Sequence, residues 1–235
     1  TSAKPFKCRH FHSDLILLNV RMYLRYSLSY RDLMEMMLER GVKVDHTTIY
    51  RWVQAYSPDL DKRCRPSLKP TNDSWRVDET YLKIKGRWKY LYSAVDSAGN
   101  TLDFMLSAKR DAKAAKRCLK KVLNASHTIE RRVLTVDKNA AYPPAIEALR
   151  KDNALTQTTK TRQVKYLNNK VEQDHRFIKR RVKPGLGFES FNTARGTIKG
   201  YEAMNIIRKG QIHGAEKGDV MGQISFINQI FGIAA

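Results

Sequence analysis

Three acidic side chains, Asp78, Asp137 and Glu172, are placed to do chemistry together. Asp78 sits inside DSWRVDETYLKIKGRWKYLY, a stretch that reads as two β-strands. Strands disfavour Asp, whose side chain competes for backbone hydrogen bonds. By strand alternation Asp78 shares a face with Thr80, Leu82 and Ile84, so it is expected to point toward buried surface. Asp137 directly follows the short run Val133–Val136, which has the look of a central buried strand. It therefore stands at a strand C-terminus, where open α/β sheets place their ligands. Carboxylates on neighbouring strands repel each other and raise a pKa. A divalent cation removes that penalty, and oxygen-only ligands suit Mg²⁺ or Mn²⁺. The third carboxylate is expected from the helix NNKVEQDHRFIKRRV, with Glu172 the best candidate. Three, four and seven positions on are His175, Arg176 and Lys179, a basic stripe able to hold a phosphodiester, while Asp174 points elsewhere.

The elements that must position these residues follow from a change of period at Trp75. WRVDETYLKIKG and RWKYLYSAVDS flank a turn at Gly86, and NTLDFMLSAK follows a turn at Ser97 to Gly99, giving a three-stranded meander. DAKAAKRCLKKVLN puts Ala112, Ala115, Leu119 and Val122 on one helical face. The strand Val133–Val136, a helix from about Pro144 to Lys151, a strand within TQTTKTRQVKY and the helix bearing Glu172 complete the order βββαβαβα. That is the order of an RNase H-like α/β fold, a mixed five-stranded sheet with helices on both faces.

Before Trp75 the chain reads as all-helical. SDLILLNVRMYLRY has apolar residues at helical spacing. SYRDLMEMMLERG opens on Ser29 with Asp32 three residues later, a capping box with Asp in the place of Glu, and Gly41 ends the helix. Asp45 then caps HTTIYRWVQAY. Two short helices around a Gly-containing turn make a helix-turn-helix candidate. His46, Thr47, Thr48 and Arg51 face outward on the early turns of the second helix, and Ile49, Trp52 and Val53 face inward. Ser57 to Ser74 holds three of the seven prolines and no apolar period, so the chain divides there. The expected domains are a DNA-binding domain over 1–60, a linker over 61–74, a catalytic domain over 75–185 and a C-terminal helical extension over 186–235. FNTARGTIKGYEAMNIIRKGQI reads as one long helix packed on the catalytic sheet, and the apolar tail ISFINQIFGIAA as docked on the core or on a second subunit.

Composition names the partner. The 235 residues carry 44 Lys+Arg against 23 Asp+Glu, a formal charge of +21. Such an excess repels itself unless an anion screens it, and nucleic acid is the first choice, ahead of an anionic membrane. No window is apolar over the length of a membrane span, and TSAKPFKCRHFHSD contains no apolar signal core. Cys8, Cys64 and Cys118 are odd in number and far apart, which points to reduced thiols. Cys8, His10 and His12 lack a fourth zinc ligand at suitable spacing. Among the remaining acids, Glu79 alternates to the face opposite Asp78 and is expected exposed or salt-bridged. Asp96 opens a turn, and Asp103 is a decoy on a meander strand. The basic run Lys160 to Lys183, with Tyr166 inside it, is expected to track DNA.

DETY, then VDK, then NNxxExDHxxxKR with 34 residues between Asp137 and Glu172, together with YSLSYRDLMEMMLERGVKVDHTTIYRWVQAY and LGFESFNTARGTIKGYEAM, covers nearly the whole chain. These stretches resemble the DDE transposases of small bacterial insertion sequences. More narrowly, they resemble the short, single-open-reading-frame elements that mobilise antibiotic-resistance genes by forming cointegrates. One departure is Arg76 before the first Asp, which bears on local packing. The resemblance implies Asp78, Asp137 and Glu172 as catalytic triad and metal ligands, holding two Mg²⁺ or Mn²⁺ ions. It implies DNA contact by Lys179 near the active site. It further implies binding of the element's terminal inverted repeats, cleavage at DNA 3′ ends with water, and strand transfer by the freed 3′-OH. The expected partners are double-stranded DNA and a second copy of the chain, with no nucleotide cofactor and no membrane. The expected place is the bacterial cytoplasm, at the nucleoid when acting. Two other readings stay open. One is a non-catalytic helix-turn-helix regulator, against which the intact acid set argues; the other is a simple nuclease that cuts without joining.

Overall fold

The computed structural model of the chain describes residue 6 and residues 10–164, 169–184 and 187–233. Cys8 and Tyr166, singled out above, lie outside the described residues. Two compact units are present, one of residues 69–177 and one that combines 1–68 with 178–235.

The first unit is built on a five-stranded mixed sheet. Its strands are β1 (Ser74–Ile84), β2 (Arg87–Asp96), β3 (Thr101–Ser107), β4 (Val133–Val136) and β5 (Lys160–Gln163), in the order β3-β2-β1-β4-β5. The meander β1–β3 is antiparallel, while β4 runs parallel to β1 and β5 parallel to β4. Helices α4 (Ala112–Leu123) and α5 (Tyr142–Lys151) supply the crossovers, and α6 (Asn169–Val182) follows β5. The element order is the expected βββαβαβα.

β4 is legible as central because all four of its residues are buried. It packs Leu134 and Val136 with Trp75, Val77, Tyr92, Ala94 and Leu102 against Ala115, Cys118, Leu119 and Val122 of α4 and Ala145, Ile146 and Leu149 of α5. Helix α5 begins two residues before the expected Pro144, with proline in its first turn, where the ring costs no hydrogen bond. β5 falls within the expected stretch. It is a largely exposed edge strand, Lys-Thr-Arg-Gln, whose charges discourage edge pairing.

The second unit is helical among its described residues: α1 (Ser13–Arg25), α2 (Tyr30–Leu38), α3 (His46–Cys64), the end of α6, α7 (Phe191–Arg208) and α8 (Val220–Ile230). The Ser29/Asp32 capping box forms in both directions, at 2.7 and 3.1 Å. Gly41 takes φ +73° after α2, and the Asp45 carboxylate accepts from the Thr47 amide at 2.8 Å to start α3.

The stretch from Ser57 is not an extended linker. It stays helical through Cys64 with Pro58 inside the helix. Val53, Tyr56, Ser57, Leu60 and Cys64 are all buried, so one apolar stripe carries the helix past the proline. Within its own unit α7 packs on α3 and α1. Its Gly200 is the reason for the close approach. A Cβ there would stand 2.6 Å from Ser57 and 2.8 Å from Leu24 Cδ2. The tail docks within this unit: Phe226, Ile227 and Phe231 are buried, and Arg63 donates to the Ile230 carbonyl at 2.9 Å. No helix of the described residues is long and apolar enough to cross a membrane.

Candidate active site

Asp78 is the fifth residue of β1, half-buried, paired in register with Ser93 of β2. The last β1–β4 pair is Val77 with Val136, so Asp78 and Asp137 are the next residues along two adjacent parallel strands. Neighbours in parallel register point to one face of a sheet, and the two carboxylates are drawn together by the backbone alone. Burial pushes the Asp78 carboxyl up to about 7; the Glu79 amide opposes this, and the charges of Glu79, Asp137 and Glu172 add to it. Asp78 thus feels both other members of the expected set. Its Oδ1 accepts from the Glu79 amide at 2.8 Å, and Asp137 Oδ1 accepts from the Lys138 amide at 2.7 Å.

Glu172, in the first turn of α6, is exposed and meets Arg176 at 3.4 Å. Among the described residues no three His, Cys, Asp or Glu side chains are gathered into a metal site as they stand. The donor chemistry nevertheless fits a hard divalent cation: all three groups are carboxylates, and their mutual repulsion at Asp78 is what such a cation relieves. Closing the set asks Glu172 to turn from its loose pairing with Arg176 toward the two strand aspartates.

The expected basic stripe is partly there. Arg176 and Lys179 are exposed. His175 is 6% exposed, so its ring belongs to the packed side of α6 and not to a surface that meets phosphate. A helix row at i+3 and i+4 straddles the edge of a buried face, and here the edge falls between 175 and 176. Asp174 is buried and accepts from the Thr101 hydroxyl at 3.2 Å. Within the run Lys160–Lys183, Arg181 is turned inward to the carbonyls of Leu24 and Arg25. On α3, Thr47 and Arg51 are exposed and Thr48 is half-buried, with Ile49, Trp52 and Val53 inward.

The other acids have settled partners. Asp96 Oδ1 accepts from the amides of Ala98 and Asn100 at 2.9 and 2.8 Å, as its turn requires. Asp103 is buried and paired with Lys121 at 2.7 Å. Glu79 lies on the face opposite Asp78 and is salt-bridged, but it is buried. Its Oε1 takes Arg110 Nε and Nη2 at 2.7 and 2.6 Å and Asn139 Nδ2 at 2.8 Å, while the Tyr142 hydroxyl donates to Oε2 at 2.5 Å. This network was missed from sequence. Asn139 follows Asp137 by two residues, so Glu79 ties the loop bearing Asp137 to the strand bearing Asp78. The signal was the presence of uncharged donors, Asn139 and Tyr142, directly after VDK.

Comparison with known proteins adds to this geometry. The family model DDE_Tnp_IS240, a DDE domain, matches residues 72–211. The chain is 41% identical over 207 residues to the transposase for insertion sequence-like element IS431mec of Staphylococcus aureus strain N315, covering 87% of this chain and 88% of that protein. The same identity and coverage relate it to the transposase for insertion sequence element IS257 in transposon Tn4003 of Staphylococcus aureus. Among solved structures, the HTLV-2 integrase catalytic core in complex with magnesium superposes with TM-score 0.45 at 13% identity, over 64% of this chain and 93% of that one. The BIV integrase core does so with TM-score 0.43 at 17% identity, over 67% and 95%.

Proposed function

The chain belongs to the DDE transposases of insertion sequences, polynucleotidyl transferases related to those of staphylococcal resistance-associated elements, and from that premise we propose that it cuts and joins DNA at Asp78, Asp137 and Glu172. The catalytic unit is read as RNase H-like, spanning about 75–185. The acids hold two divalent cations, Mg²⁺ or Mn²⁺. When bound, such cations supply Lewis acidity, activating an attacking oxygen and stabilising a leaving one. The protein's own part is positional. β1 and β4 fix Asp78 and Asp137 side by side, Glu79 braces the loop that carries Asp137, and α6 brings Glu172 with Arg176 and Lys179 to receive a phosphodiester.

End recognition is assigned to residues 1–60 through the α2–α3 helix-turn-helix. Thr47, Thr48 and Arg51 meet the terminal inverted repeat. A homodimer acting in the bacterial cytoplasm at the nucleoid, with no nucleotide cofactor, completes the reading. The observation that carries it is Asp78. In a chain of charge +21, burial lifts this half-buried carboxyl to about 7, with three other acids, Glu79, Asp137 and Glu172, adding to it. A fold that only bound DNA would gain nothing by keeping a carboxyl so raised beside other acids.

The test offers a duplex end with a pre-cleaved 3′-OH, target DNA and Mg²⁺, and looks for joined product. A joined product lost on chelation is expected. Cutting without joining would reduce the function to a nuclease, and neither activity with intact end binding would leave a regulator.

A further inference from the structure

The β1–β2 hairpin projects past the candidate site and carries a patch that the catalytic reading leaves unused. Its turn is two residues, Lys85 and Gly86, both at positive φ (46° and 72°), the tight geometry that matches strand twist and holds a hairpin tip stiff. Tyr81 and Trp88 remain 44% and 59% exposed at this tip. Their rings meet edge to face at 6.2 Å, and Tyr90 meets Tyr81 at 5.5 Å. Cations sit on these rings: Lys83 Nζ is 5.5 Å from the Trp88 centroid and Arg110 is 5.7 Å from that of Tyr81. Between Tyr81 and Tyr90 there are four Lys or Arg and no acid.

Building on the transposase reading, we propose that this hairpin binds an unpaired base of the DNA substrate, stacked on Trp88, with Lys83, Lys85, Arg87 and Lys89 on the flanking phosphates. Exposed aromatic faces interleaved with cations are how proteins hold single strands without reading sequence. A lysine covers one face of an indole and leaves the other for a base. Paired bases inside a duplex present no free face, so the occupant is unpaired. Charge excludes an acid-poor apolar partner as the better fit. Trp88 pairs in register with Lys83, five residues beyond Asp78. At about 3.4 Å per strand residue that is roughly 17 Å, or about five nucleotides of a DNA strand. Lys83 and Trp88 stand on the Glu79 face of the hairpin, opposite Asp78, while Arg87 and Lys89, paired with Ile84 and Leu82, stand on the Asp78 face, so the strand that a cut end leaves free reaches this base site around the hairpin, at least several nucleotides from the phosphate at Asp78.

Trp52 and Trp75 are buried at 5% and 1%, so a quench of intrinsic fluorescence by DNA reports mainly on Trp88. The experiment titrates the full chain, in chelator so that no chemistry occurs, with a blunt duplex and with the same duplex bearing a five-nucleotide single-stranded overhang. Quenching by the overhang DNA and not by the blunt duplex is expected. Trp88→Ala should abolish the quench and weaken overhang binding about 5- to 150-fold, with Trp88→Phe restoring most of the affinity. Equal quenching by both DNAs, or by neither, would overturn the proposal, as would a Trp88→Ala protein that sediments as a smaller species, since the patch would then join copies of the chain. Because the readout needs no cleavage, it fails separately from the joining assay above.

Discussion

Asp78 and Glu79 are adjacent carboxylates on one strand, and their fates are opposite. Glu79 faces the α4–α5 side and has a 1% exposed side chain, yet every direction is answered: Arg110, Asn139 and Tyr142 all donate to it. Asp78, on the other face, accepts from one backbone amide, and its charged neighbours are acids that push it up. Burial alone does not separate them; the sign of the neighbours does. A buried charge with cation and donors is a brace, and removing it strands its partners. A carboxyl raised by burial and crowded by like charge has the chemistry of a candidate cation ligand.

The largest effect should follow from neutralising the unanswered side. Asp78→Asn, Asp137→Asn and Glu172→Gln are each expected to lower cleavage and strand transfer by on the order of a thousandfold or more, about 4 kcal/mol of barrier, with folding and end binding nearly intact. A mutant that keeps substantial Mg²⁺-dependent activity would remove its residue from the set. Glu79→Ala should do the reverse in kind. It leaves Arg110, Asn139 and Tyr142 without their acceptor, so unfolding in urea should show a loss of about 2–3 kcal/mol, below the full cost of breaking a buried pair because Arg110 is 35% exposed. If Glu79→Ala were as stable as the parent, the distinction between brace and site would collapse.

How much of this could be read beforehand depends on locality. Asp in a strand, a buried four-residue run ending in another Asp, and a capping box are short-range patterns, and each stands in the structure as expected. The roles assigned to the acids are still carried by family and chemistry. What was illegible is non-local. Pro58 and its polar neighbours masked a stripe that only α7 makes sense of, because Gly200 lets that helix approach Ser57. Glu79 finds donors 31, 60 and 63 residues away. His175 falls on the packed side of α6 because helix rows alone do not say where a buried face ends.

Titration sharpens the same comparison. The Asp78 carboxyl is raised in the fold to about 7 from an ordinary 3.8, chiefly by burial. A raised acid contributes stability that is complete below its unfolded value and is lost as pH rises through the folded one. Metal-free wild type should therefore lose stability relative to Asp78→Asn between about pH 4 and 7, by on the order of 2 kcal/mol after allowance for solvent. Melting in chelator across pH 5 to 8 measures it. Mg²⁺ should return the loss at pH 8 to the wild type and not to the mutant, and parallel melting curves for the two proteins would mean that Asp78 ionises without strain.

The smallest expected effect separates cations as the first separated acids. Arg110 is committed to Glu79, whereas Lys179, exposed seven residues after Glu172 on α6, has no ion pair among the described residues. A lysine acts on phosphate as a point charge and cannot ligate Mg²⁺. Lys179→Ala should leave the Mg²⁺ dependence of activity unchanged, lower strand transfer, and reduce the slope of log affinity against log salt by roughly 0.9, one duplex phosphate contact. Salt titration of end-DNA binding beside a Mg²⁺ titration of activity distinguishes the outcomes. An unchanged slope with a raised Mg²⁺ requirement would place Lys179 with the acids, tuning their charge, and would make it a counterpart of Arg110 instead of its contrast.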